Sequence, residues 1–317
     1  MKKLLIILPF LAVFFFIIGI VIGINIRDDK NSLKILRSTR NQLTNPLLDC
    51  EIYEANPNTK VNSMKKNVMR VVSDNQEDVN EISVFFRDLN NGPSFGINEN
   101  NKFAPASLLK VPLMIAYLKE NEKNPEVLNK KIVYSGNHYL KENLPNVDTL
   151  TPGSSYTVDN LIYRMIAFSD NLAFETLLGN IDQNTIKTVH KDLDLIYPDI
   201  NTPDDYISVK SYAGLFRVLY NSTYLSREMS DKALKYLTKS DFHLGIQAGI
   251  PKDTTTALKF GIRDADGKGT IQLHDCGIIY DQKKPYLLCI MTKGERSNKL
   301  IEMIKNISKE VYRSNLN

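Results

Sequence analysis

Tryptophan is absent from this chain, and cysteine and histidine are scarce, with three and four residues among 317. Three thiols cannot all pair within one chain, so a disulfide scaffold is excluded. No two cysteines stand at close spacing, and with so few histidines nothing suggests a metal site; no cofactor is expected. Cys276 and Cys289 stand on either side of a turn near Asp281–Lys284. They read as buried free thiols in core strands, with a bridge across the hairpin as the alternative. An excess of one charge is also lacking. Forty Lys and Arg stand against 36 Asp and Glu, giving +4 in all. They are scattered, so the basic stripe of a nucleic-acid-binding surface is missing.

A long uncharged run is present. From Leu4 to Ile26 there is no charged residue. At 1.5 Å per residue this stretch spans roughly 35 Å as a helix, enough for a hydrocarbon core of about 30 Å. A cleaved signal has a shorter apolar stretch and small residues at the cut, whereas here the exit reads Gly23-Ile24-Asn25-Ile26-Arg27. The expectation is an uncleaved anchor over 1–26. Lys2 and Lys3 stay cytoplasmic and the rest lies outside, although Arg27, Lys30 and Lys34 weaken that bias. The expected localisation is therefore the membrane, single-pass, with the C-terminal domain extracytoplasmic. Residues 27–60 are polar and carry Pro46 and Pro57, and read as a linker. The domain proper is expected over 61–317.

Within it, Asn62–Val72 has the pattern of an amphipathic helix, with Met64, Val68, Met69 and Val72 on its apolar face. Ile82–Phe86 and Ser94–Ile97 read as a hairpin around Asn90-Asn91-Gly92-Pro93. An apolar helix is expected from Ser107 to Leu118. The middle of the chain reads as mostly helical, with one helix capped by Thr157 and another over Ser211–Tyr220. Strands return at Thr256–Ile262, Ile271–Asp281 and Pro285–Thr292, and a last helix covers Asn298–Tyr312. Strands first and last with helices between predict an α+β fold. Its antiparallel sheet joins the N- and C-terminal strands, carries flanking helices and packs against an all-helical lobe.

Three short segments carry candidate chemistry: Ser107-Leu108-Leu109-Lys110, Ser169-Asp170-Asn171 and Lys259-Phe260-Gly261. Ser63-Met64-Lys65-Lys66 and Ser73-Asp74-Asn75 repeat two of the patterns in a polar stretch, so context must decide. Ser107 opens a helix that continues Val111-Pro112-Leu113-Met114. Positions i and i+3 share a face, so Lys110 can reach the Ser107 hydroxyl, and a helix N-terminus favours a developing oxyanion. Desolvation against that apolar helix lowers a lysine pKa from its usual value near 10.4. The plainer alternative is an N-cap serine and a solvated lysine.

Phe103-Ala104-Pro105-Ala106-Ser107-Leu108-Leu109-Lys110-Val111-Pro112-Leu113 resembles the nucleophile segment of class A β-lactamases and related penicillin-binding enzymes. Met165 through Asn171 resembles the helix leading into their second motif, 62 positions after Ser107. Ala257-Leu258-Lys259-Phe260-Gly261 resembles the third. The likeness runs in order over about residues 60–315. It implies that Ser107 attacks a carbonyl to form an acyl-enzyme, that Lys110 takes or relays its proton, and that Ser169 passes a proton to the leaving nitrogen. It further implies that Asn171 holds the substrate's amide and that Lys259 sets the pocket's potential and favours a carboxylate-bearing substrate. The oxyanion hole would be formed by backbone N–H groups of Ser107 and of a strand residue after Gly261, matched by position to Arg263. The implied partners are a β-lactam or a peptidoglycan-type peptide as substrate, and the membrane through the N-terminal helix; no nucleic acid is expected.

Two positions depart from the family pattern. Phe260 stands where the family has a hydroxyl residue that binds the substrate carboxylate. Tyr197-Pro198-Asp199-Ile200-Asn201 resembles the loop that carries the deacylating Glu, with Tyr197 in the Glu position. Asp199, Asp204, Asp205 and Glu175 are the acids that could substitute. Losing a general base costs about 10²–10⁴ in rate, so slow deacylation is expected. The alternative reading is a binding or scaffold protein of the cell envelope that keeps this fold with impaired chemistry.

Overall fold

The computed structural model describes residues 43–45, 59–75, 79–90, 92–136, 149–264, 267, 269–281 and 284–316. The expected anchor and most of the expected linker lie outside them. Among the described residues no helix is long and apolar enough to cross a membrane.

Helix α1 (Thr59–Asp74) comes first. It buries Val61, Met64 and Val68, positions spaced at three and four as one helical face requires. Met69, expected on that face, is half exposed instead, because the buried stripe continues through Val68 rather than its neighbour. Strands β1 (Val79–Asp88) and β2 (Ser94–Ile97) form the expected hairpin, with Val84 opposite Ile97 and Phe86 opposite Phe95. After the short β3 (Lys102–Phe103), a 3₁₀ turn over Ala106–Leu109 leads into α2 (Lys110–Lys123). The expected single helix from Ser107 is thus a 3₁₀ turn joined to an α-helix.

The helical lobe follows. It holds the small hairpin β4 (Lys131–Val133) and β5 (Ser155–Thr157), then α3 (Val158–Ala167), α4 (Asn171–Leu178), α5 (Gln183–Asp192), β6 (Ile207–Ser208), α6 (Val209–Asn221) and α7 (Arg227–Leu237). Local chemistry starts these helices. The side chains of Thr157, Asp170, Asp182, Ser208 and Ser226 each accept a backbone N–H at a helix N-terminus, which satisfies donors the helix itself leaves unpaired. Helix α2 is buried on nearly every side from Lys110 to Leu118, which explains why its apolar run lacks an amphipathic stripe.

Strands β7 (Thr256–Asp264), β8 (Ile271–Ile279) and β9 (Tyr286–Gly294) complete an antiparallel sheet in the order β2-β1-β9-β8-β7, and α8 (Ser297–Leu316) ends the chain. Side chains alternate across the sheet. Val84, Phe86, Leu288 and Ile290 meet α1 and α8 on one face. Cys289, Met291, Ala257 and Ile278 meet the helical lobe on the other. First and last strands sharing one sheet, beside a mainly helical lobe, is the α+β architecture expected; the small hairpin β4–β5 corrects the expectation that the lobe is all-helical.

Cys276 and Cys289 are joined by a disulfide, which corrects the expectation of free thiols. They are direct register partners on β8 and β9, and directly opposed antiparallel residues bring their Cβ atoms within about 5.5 Å on one face.

Candidate active site

The chain turns sharply at two places where the lobes meet. Ala106, just before Ser107, and Ser169 have φ values of 48° and 57°, a left-handed conformation that costs a residue with a Cβ about 1–2 kcal/mol. Such strain persists only where the surroundings hold it. At Ser169 the holder is visible. Asp170, fully buried, caps α4 by accepting from the N–H groups of Leu172 and Ala173 at 2.9 and 3.0 Å. Its other oxygen accepts from Arg164 Nε at 2.7 Å. This carboxylate therefore fixes the residues on either side of it, Ser169 and Asn171.

Lys110 collects the site around one nitrogen. Its Nζ lies 3.0 Å from Ser107 Oγ, 3.2 Å from Ser169 Oγ, 2.6 Å from the Ser169 carbonyl and 2.7 Å from Asn171 Oδ1. The side chain is nearly inaccessible, 2% exposed. Burial pushes its pKa down to about 7, with the Asp170 carboxylate opposing that shift. This brings the uncharged amine within reach at neutral pH, whereas only about one in a few thousand ordinary lysines is uncharged there.

Lys259 approaches from β7. Its Nζ donates to Ser169 Oγ at 3.0 Å and to the Phe260 carbonyl at 2.8 Å. Complete burial pushes its pKa well below the usual lysine range and Lys110 pushes it the same way, while Asp275 and Asp241 oppose. The Ser169 hydroxyl is thus a bridge between two desolvated amines. Gly261 brings β7 close to the nucleophile: a Cβ there would stand 3.3 Å from Ser107 N and 3.2 Å from the Pro105 carbonyl oxygen. Ser107, Lys110, Ser169, Asn171, Lys259 and Gly261 are therefore brought together. The Arg263 side chain is directed elsewhere, its guanidinium donating to Asp204 at 2.9 Å.

The acids of the loop near Tyr197 are engaged away from Ser107. Asp199 accepts from Asn201 N and Thr202 Oγ1 within its own turn. Asp205 accepts from Gln272 at 2.7 Å and from Lys293 at 3.2 Å. Tyr197 donates to Gln183 Oε1 at 2.9 Å and packs edge-on against His190. Glu175 is half-buried, one helical turn beyond Asn171 on α4.

Two participants were not singled out from the sequence. Arg164 anchors Asp170, and Phe242 stacks on Phe260 with ring centres 4.5 Å apart. Both act through tertiary contacts that no local periodicity announces.

Residues 63–314 match the family model described as the β-lactamase enzyme family. The chain belongs to that family. As a β-lactamase-family protein it is a serine hydrolase, and the resemblance seen in its motifs is borne out. Among solved structures it is similar to the TLA-1 extended-spectrum β-lactamase, at 17% identity and a TM-score of 0.71 over 81% of this chain and 100% of that one. It is similar to PBP-A at 22% and 0.66, over 79% and 95%. A β-lactamase from Chitinophaga pinensis gives 17% and 0.69, over 79% and 98%. At such identities these likenesses show the fold. No curated protein matches the chain.

The β-lactamase-family site depends on the buried Asp170–Arg164 pair. Removing one partner of such a pair leaves an uncompensated charge and costs about 3–5 kcal/mol. Asp170→Ala, which also uncaps α4, is expected to lose about that much stability in urea denaturation; a loss below about 1 kcal/mol would contradict the holding role.

Proposed function

We propose that this protein is a membrane-anchored serine hydrolase of the cell envelope. It forms an acyl-enzyme through Ser107 on β-lactams or on D-amino-acid-terminated cell-wall peptides. The single observation that carries the reading is the 3.0 Å contact between Lys110 Nζ and Ser107 Oγ, made by a lysine whose pKa burial lowers to about 7. The apolar run Leu4–Ile26 supports the anchor. The Cys276–Cys289 disulfide supports an oxidising compartment outside the cytoplasm.

In this reading the neutral Lys110 amine accepts the Ser107 proton as Oγ attacks the carbonyl carbon. The Ser107 N–H, at a turn opening into α2, meets the developing oxyanion. The second donor comes from β7, which ends the sheet, with no strand beyond it among the described residues. Backbone groups of alternate residues address the same edge. The Phe260 carbonyl is taken by the Lys259 side chain, and Ile262, two residues on, offers its N–H on that side. We assign the second oxyanion contact to Ile262 rather than to its neighbour Arg263. Ser169 Oγ, held between Lys110 and Lys259, hands a proton to the leaving nitrogen, and Lys110 replaces it.

Release of the acyl group is slow in this reading. Tyr197 is engaged with Gln183 and His190, and Asp199, Asp204 and Asp205 are committed to other partners. A solved structure of a PBP-A variant is an acyl-enzyme complex with penicillin G.

The test is to incubate the full-length protein, purified in mild detergent, with benzylpenicillin and follow its intact mass. One covalent equivalent that persists for minutes or longer is expected. Release within a second would overturn slow deacylation, and no adduct from any β-lactam would favour a binding protein that keeps the fold without the chemistry.

A further inference from the structure

The leaving side of any substrate acylating Ser107 must lie beside Ser169, which gives it a proton. Phe260 follows Lys259 on the open-edge strand and stacks on Phe242 with a 20° angle between rings. The Lys259 Nζ sits 4.4 Å from the centre of the Phe260 ring. Its side chain is fully buried, and its donors are directed to Ser169 Oγ and the Phe260 carbonyl. Its Nζ is therefore engaged inside the protein rather than displayed to a ligand.

Among the described residues, the other charges around this strand offer an anion little. Asp275 is the register partner of Phe260 on β8 and, like Asp241, bears on Lys259, so a second anion brought to the same place would meet acidic groups. Arg263 is held by Asp204. The faces of the Phe260 ring are taken by Phe242 and by the Lys259 Nζ, and an anion placed beside the ring without a partner loses its hydration uncompensated. A neutral apolar group against the same rings instead gains buried area.

From this we infer that the Phe242–Phe260 stack is the specificity element for the leaving side of the substrate. Among acyl donors of the proposed classes it favours those that carry a neutral, apolar group there, such as an esterified carboxyl or an aromatic ring, over those with a free carboxylate. The inference rests on the reading of Ser107 as the acylated nucleophile.

The experiment compares acylation of the full-length protein by benzylpenicillin and by its methyl ester. Each rate is followed by intact mass and normalised to that compound's alkaline hydrolysis. The ester is expected to react about tenfold faster, and Phe260→Thr to reverse the order by restoring a hydroxyl and removing the stack. Equal rates, or faster reaction of the free acid, with the unaltered protein would overturn the inference and leave the Ser107 reading standing. An ester preference that Phe260→Thr does not move would overturn it too, since the stack would not be its cause. Absence of an adduct with either compound would overturn the Ser107 reading, and this inference with it.

Discussion

Ser107→Ala is expected to abolish the covalent adduct with benzylpenicillin, lowering the acylation rate by roughly 10⁴-fold or more while leaving the fold intact. Lys110 touches two hydroxyls, those of Ser107 at 3.0 Å and Ser169 at 3.2 Å, so the alternative nucleophile is Ser169. Two features argue against it. Ser169 Oγ also accepts from Lys259, so its lone pairs are directed at two amines rather than at an incoming carbonyl. Ser107 instead stands at the start of the turn into α2, where its own N–H can meet an oxyanion. Its hydroxyl bonds to Lys110 at the edge of the core, so its loss should change stability by less than about 1 kcal/mol. Intact mass after incubation with benzylpenicillin, alongside a thermal melt, checks both parts. A variant that still acquires one equivalent would move the nucleophile to Ser169.

The second large effect concerns the base. Lys110→Met keeps the length of the buried side chain and removes the amine, and acylation should fall by about 10²–10⁴-fold. The pH profile of the unaltered protein carries the same information. Only the uncharged amine can accept a proton, and burial sets its pKa at about 7. Acylation should therefore be full above that value and decline as pH falls through it, by about tenfold per unit at the acid end. The Lys110→Met variant should lose this limb. A profile that stays flat from pH 5 to 8 in the unaltered protein would remove Lys110 from the proton transfer.

Much of this site was legible because its chemistry is packed into short segments. The i, i+3 spacing of Ser107 and Lys110 predicted contact, and the apolar run behind them predicted desolvation; both are present. That strands from both ends of the chain share one sheet was readable because the first and last thirds of the chain carry strand patterns and the middle carries helical ones. What was not readable depends on which residues face each other across the fold. The Cys276–Cys289 bond follows from strand register, which a one-residue slip would have destroyed. The Phe242–Phe260 stack joins a loop after α7 to β7, and the Arg164–Asp170 pair spans a turn whose shape depends on a left-handed Ser169. Met69 was misplaced because α1 presents a narrower buried stripe than its composition allows. The decoy segments at Ser63 and Ser73 fall in and at the end of α1, away from any cluster of lysines and hydroxyls described above.

Peptide mapping of the penicillin-treated protein tests the central claim most directly. The mass increment of one benzylpenicillin is predicted on the fragment containing Ser107, with fragmentation placing it on that residue. An increment on Ser169, Ser63 or any other side chain, or none at all, would contradict the account.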